Sequence, residues 1–206
     1  MLDIAHADEA CIVCVKPSGL LSVPGRSEPD CLSARVQARC ADALVVHRLD
    51  MATSGLMLFA RGVDAQRQLS RAFAEREVEK RYIAVVHGHI ARDSGEIDLP
   101  LIADWPNRPM QKVDAEHGKP SLTRYRVLSG DAVARTTRVE LQPVTGRAHQ
   151  LRVHMLAIGH AIVGDALYAP AEMGTQSDRL LLHAAFLRFA HSVSGEKITV
   201  ENAPPF

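Results

Sequence analysis

Aromatic residues are scarce in this 206-residue chain: they make up 4% of it and include a single tryptophan. A module that captures ligands on a carpet of stacked rings is therefore disfavoured. Charge of one sign is also missing, with 24 basic against 24 acidic residues and a formal net charge of zero. No blanket affinity for polyanions follows, and local balance has to decide. No apolar run approaches the ~20 residues needed to cross a bilayer. The segment Met1 to Glu9 is acidic and lacks the basic-then-apolar layout of a signal peptide, so a cytoplasmic protein is expected. There is no internal repeat, no long linker, no Gly-rich phosphate loop and no evident metal-ligand cluster. The four cysteines lie at 11, 14, 31 and 40. Cys11 and Cys14 have C-x-x-C spacing, but Ile12, Val13 and Val15 place them on a strand, so reduced thiols and no bound metal are expected.

What is present is enough for a core. Hydrophobic residues reach 47% and charged residues an ordinary 23%. This size suits one domain, expected here as a single 1–206 catalytic domain built of two lobes sharing a sheet. Positive charge gathers in the middle: residues 101 to 155 carry nine Lys/Arg against five Asp/Glu, whereas residues 1 to 47 carry four against six.

Periodicity predicts strands at 12–15, 44–46, 55–60, 82–86, 123–128, 136–142, 180–189 and 198–200. Helices are predicted at 31–42 behind an Asp30 cap, at 64–77 capped by Asp64, and at 150–158 with Gly159 just beyond. Residues 99–120, rich in proline and charge, read as an ordered excursion or hairpin. Many strands and few helices, not strictly alternating, give an α+β class with a mixed, mostly antiparallel sheet.

The richest stretch is His47-Arg48-Leu49-Asp50-Met51-Ala52-Thr53-Ser54-Gly55-Leu56, a polar segment between two apolar strands. Burying a carboxylate, a guanidinium and an imidazole there is costly unless they find partners. Asp50 is the leading candidate for chemistry, as nucleophile or general base. A nearby arginine would keep it ionised and aimed. Taken alone, an aspartate between strands is also a common turn former. Asp50 would equally suit glycoside hydrolysis, but that needs a second carboxylate, and Asp165 is the nearest candidate. A non-catalytic RNA-binding module is the other alternative, and the few aromatics and zero net charge weigh against it.

These residues carry a resemblance. His47-Arg48-Leu49-Asp50 with Thr53-Ser54-Gly55-Leu56 resembles the catalytic motif of the RluA family of RNA pseudouridine synthases. Lys16-Pro17-Ser18-Gly19-Leu20, Lys80-Arg81-Tyr82-Ile83-Ala84, the block Thr145 to His154, Gly159-His160, Gly164-Asp165 and Leu181 to Ala184 are similar to further family segments, in order along the chain. Trp105 to Lys112 resembles the members that modify both transfer RNA and large-subunit ribosomal RNA. Like them, the chain leaves no room for an S4-like domain before the catalytic one.

The resemblance implies conversion of specific uridines to pseudouridine in structured RNA loops, a tRNA anticodon stem-loop and a 23S rRNA hairpin. It implies no cofactor; no membrane and no obligatory protein partner are expected, and a monomer is the default because the oligomeric state is not readable from the sequence. The implied catalytic residues are Asp50, Tyr82 against the target base, and Arg152 paired with Asp50. Arg48 would fill the space left by the extruded uridine, and Leu182 would line the uracil pocket. Trp105, Arg108, Lys112 and Arg147 would touch the RNA, with Lys119 and Arg124 as further phosphate contacts. His47, His149, His154 and His183 are read as packing and hydrogen-bonding residues.

Overall fold

The computed structural model describes residues 2–170, 173 and 177–206. The chain divides into two compact units, one formed by Met1–Lys80 with His183–Phe206, the other by Arg81–Leu182.

The first unit opens with an antiparallel hairpin, β1 (Asp3–Ala7) and β2 (Cys11–Lys16). After α1 (Leu32–Gln37) come β3 (Ala43–Val45), β4 (Ser54–Arg61) and α2 (Val63–Ala74). β5 (Glu79–His87) starts here and runs into the second unit. β11 (Leu182–Ala190) and β12 (Lys197–Glu201) return to close the first unit. β4 is the organiser. It pairs antiparallel with β2 from Gly55 to Ala60, parallel with β11 at Ser54 and Gly55, and antiparallel with β3 from Phe59 to Arg61. Flanked on both edges, it is buried from Ser54 to Ala60, which is why its sequence is continuously apolar rather than alternating. Leu56, Leu58 and Ala60 meet Ala65 and Leu69 of α2 and Leu187 and Phe189 of β11 in the core.

The parallel contact depends on one glycine. Gly55 has φ +111°, and a Cβ there would lie 2.3 Å from the Ala184 carbonyl oxygen, so only glycine fits.

The second unit holds the order β5-β10-β9-β6, all antiparallel, with β6 (Ser94–Asp98), β9 (Leu122–Asp131) and β10 (Thr136–Pro143). A hairpin of β7 (Leu101–Ala103) and β8 (Gln111–Val113) carries the 3-10 turn Trp105–Asn107 at its tip. α3 (Gln150–Ala157) follows β10. Leu101 of β7 and Val153 of α3 form a small core with Tyr168, and Met110 and Leu156 pack against it.

The α+β class and mostly antiparallel pairing stand as expected. The differences are local. β1 and β6 were not anticipated, because each offers one weak apolar face; Ile97 is the lone aliphatic of β6, and Gly95 is tolerated under the ring of Tyr125, its cross-strand partner. α1 is capped by Cys31, whose Sγ accepts from Ala34 N, while Asp30 pairs with Arg35 instead. The helix also stops at Gln37, well short of residue 42. α2 starts at Val63 behind Gly62, whose φ of +77° turns the chain, so Asp64 sits in the first turn and not at the cap. A carboxylate there still favours the helix dipole.

Candidate active site

Asp50 lies in the irregular segment between β3 and β4, and the backbone around it is clamped by residues 16–22. Lys16, fully buried, donates from Nζ to the carbonyls of Pro17 (2.9 Å), Leu20 (2.7 Å) and Met51 (2.9 Å). Gly19 N also donates to Met51 O, and Ser18 Oγ to Ala52 O at 2.7 Å. Ser22 Oγ donates to Leu49 O at 2.6 Å and accepts from Leu49 N at 3.1 Å. The peptide groups on either side of Asp50 are thus held by a second stretch of chain, and Thr53 N closes a turn onto Asp50 O. Asp50 is half-buried, and Arg48 two residues before it is exposed.

The histidines of this unit are structural. His47 Nε2 accepts from Leu58 N at 2.9 Å and its ring stacks on Phe73 at 4.4 Å. Burial, with the Lys80 ammonium adding repulsion, pushes its pKa down to about 3, so it is neutral. His183 Nε2 donates to Asn202 Oδ1 at 2.9 Å, which leaves Nδ1 to accept from Ser54 Oγ at 2.9 Å.

In the second unit Arg152 is buried on α3 at 4% exposure, and one of its partners is a residue the sequence did not assign to it. Asp165, 2% exposed, grips the guanidinium through Nε at 2.8 Å and Nη2 at 2.6 Å. Asp165 Oδ1 also accepts from Leu167 N and Tyr168 N. Both carboxylate oxygens are therefore committed. This overturns Asp165 as the free acid of a glycoside hydrolase. The Tyr168 ring lies against the same guanidinium, 4.9 Å from Cζ. Removing one member of such a buried pair costs about 3–5 kcal/mol.

Tyr82 stands half-buried on β5 opposite Leu141 of β10. Leu182 is buried at 3%. The turn Thr145-Gly146-Arg147 wraps the side chain of Gln150, whose Oε1 accepts from Thr145 Oγ1 and Arg147 N, and whose Nε2 donates to Leu122 O and Thr123 Oγ1. The Arg147 guanidinium reaches Pro120 O at 3.4 Å and is exposed. His154 is fully buried between Thr123 Oγ1 and Leu99 O. At the hairpin tip Trp105 is 65% exposed, and the Arg108 guanidinium stacks over its ring at 4.2 Å. Lys112 is exposed with Asp114 at 4.0 Å, and Lys119 is exposed. Arg124 is bonded to Glu96 at 2.8 Å, which makes it a cross-strand pair rather than an open phosphate contact.

Arg152, Asp165 and Tyr168 thus form one cluster in the second unit, where Tyr82 and Leu182 also lie; Asp50 and Arg48 belong to the first. One donor group escaped the sequence reading. His6, Asp8 and Cys11 bring ligand-type atoms within 4.8 Å of one another. Asp8 Oδ1 accepts from Ala10 N and Cys11 N and Oδ2 from His6 Nε2, so the carboxylate caps the β1–β2 turn.

Residues 10–157 match the family of RNA pseudouridylate synthases. The chain belongs to that family. The synthase is 51% identical over 207 residues to the dual-specificity RNA pseudouridine synthase RluA of Pasteurella multocida, covering all of this chain and 94% of the relative. It is 50% identical to the protein of the same name from Escherichia coli K12, at the same coverage. Among solved structures, human RNA pseudouridylate synthase domain containing 1 superposes with a TM-score of 0.87 at 30% identity, over 100% of the synthase and 84% of that chain. Human RNA pseudouridylate synthase domain containing 4 shares the fold, with a TM-score of 0.82 at 24% identity over 98% and 88%. No helix among the described residues is long and apolar enough to cross a membrane.

Proposed function

We propose that the chain is a dual-specificity RNA pseudouridine synthase that isomerises uridine in a tRNA anticodon stem-loop and in a 23S rRNA hairpin. The observation that carries this reading is 51% identity across the full chain to a synthase of that description. In this reading the two units are the lobes of one catalytic domain, working as a cytoplasmic monomer.

The reaction balances without an added reagent. The bond from the ribose to the ring nitrogen breaks and a bond to a ring carbon forms. The hydrogen of that carbon leaves as a proton, and the nitrogen gains one. Asp50 opens the exchange by attack or by proton removal. The clamped peptides beside it support the role, because a fixed carboxylate needs no reorganisation when charge develops. Arg152 supplies the counter-charge to Asp50, and Tyr82 stacks on the extruded base and assists proton removal. Arg48 takes the place left in the RNA stack, and Leu182 keeps the base site dry. Trp105, Arg108, Lys112 and Arg147 hold the RNA, with stacking at the exposed indole and phosphate contacts at the cations.

The test is release of tritium from uracil-labelled stem-loops carrying either target. Wild type releases it from both. Asp50→Asn keeps binding and loses release, because an amide is neither nucleophile nor base. Turnover retained in Asp50→Asn would refute the assignment. Release from only one RNA would restrict the enzyme to one target.

A further inference from the structure

The Tyr168 hydroxyl joins two parts of the second unit that the proposed function uses separately. It accepts from Gln111 N at 2.8 Å, on β8 of the hairpin that presents Trp105 and Arg108. It lies 2.7 Å from His149 Nδ1, on the residue that caps α3. The Tyr168 ring meanwhile packs on the Arg152 guanidinium that Asp165 grips. Asp165 also fixes Tyr168 directly, by accepting its backbone N–H at 3.1 Å. Tyr168 is 6% exposed and shares a core with Leu101 of the hairpin and Val153 of α3.

The hairpin is held by its own β7–β8 pairing and by Leu101 and Met110 in the small core, and the Tyr168 hydroxyl adds a polar tie at the start of β8. Gln111, on β8, has the paired strand β7 on one side and the Tyr168 hydroxyl on the other. We propose that Tyr168 is a positioning residue that ties the Trp105–Lys112 hairpin to Arg152, so that RNA seated on the hairpin is registered against the arginine that serves the reaction. This rests on the roles given above to Arg152 and the hairpin. Nothing in the chemistry of the step requires Tyr168 to touch the substrate.

The test separates tether from ring. Tyr168→Phe keeps the ring on Arg152 and deletes the hydroxyl, leaving the Gln111 N–H without its partner. A lost hydrogen bond of this kind corresponds to about tenfold in an equilibrium. KM for the stem-loop should rise about tenfold, with the loss falling on KM rather than on the rate at saturating RNA. Tyr168→Leu, which also removes the ring, should lower the saturating rate as well. In a double-mutant cycle, Trp105→Ala and Tyr168→Phe should be non-additive, because a loose hairpin no longer benefits from its indole. Thermal melts check that each variant folds. Should Tyr168→Phe fail to fold, amide exchange in the wild-type protein decides: Gln111 N–H should be protected and slow further when stem-loop RNA binds. An unchanged KM in Tyr168→Phe, full additivity in the cycle, or an unprotected Gln111 amide would each overturn the tether. Failure of the underlying reading is seen elsewhere, as undiminished turnover in Arg152→Ala.

Discussion

His47 precedes Asp50 by three positions, yet its imidazole is committed to the fold. Its Nε2 holds the Leu58 amide and its ring covers Phe73, so a proton on Nε2 would break the first contact. The pKa near 3 against an ordinary 6.5 fixes the sign of the linkage. The unfolded chain takes up the proton first, so stability is fully present above pH 6.5 and falls as the pH drops towards 3. One such group contributes at most ~1.4 kcal/mol per pH unit, and less here because the residue is half-buried rather than sealed. His87 and His154, both shifted down by burial, push in the same direction. Urea melts between pH 7 and pH 5 should show a falling midpoint, and His47→Gln, which can still accept from Leu58, should flatten the slope. An unchanged slope would contradict the neutral buried role. The sequence reading of this histidine as a packing and hydrogen-bonding residue agrees with its contacts to Leu58 N and Phe73. It did not identify Asp165 as the anchor of Arg152, because the two are thirteen residues apart and nothing in their spacing couples a helix to the loop after it.

At the scale of elements, the loop bearing Asp50 is held by a buried lysine from another stretch of the chain. Lys16 neutralises three carbonyls at once, and its burial is affordable only because each hydrogen of the ammonium has an acceptor. Lys16→Met would fill the space and take the ammonium donor from Pro17 O and Leu20 O, while Met51 O keeps Gly19 N. Unsatisfied buried acceptors cost about 1–3 kcal/mol each, so a loss of at least about 2 kcal/mol in urea denaturation is expected, with turnover falling beyond what the lost folded fraction explains. Stability equal to wild type would mean that the clamp does not matter. The strands with strong apolar runs, β2, β4 and β10, were legible because their periods match their burial. β1 and β6 were not, since edge strands need only one modest face to pair and their residues read as loop. The helix starts shifted for a similar reason: a cysteine thiol and a positive-φ glycine did the capping that composition assigns to aspartate.

For the molecule as a whole, the family could be read from motif order along the chain, and the same motifs fall in two different units. Motif order records what residues are present and in what sequence, but says nothing of which side chain grips which. The Asp165 grip on Arg152 and the Tyr168 contacts to Gln111 and His149 are tertiary, so no spacing in the sequence announces them. The placement of the lone tryptophan has a practical result. Trp105 is at the hairpin tip, mostly in solvent, with Arg108 over its face. Its emission should therefore shift little when urea unfolds the protein, while circular dichroism collapses, and should be quenched when a stem-loop docks. If that quenching is observed, the chain carries a native fluorophore that is nearly blind to unfolding, and RNA titrations need no label.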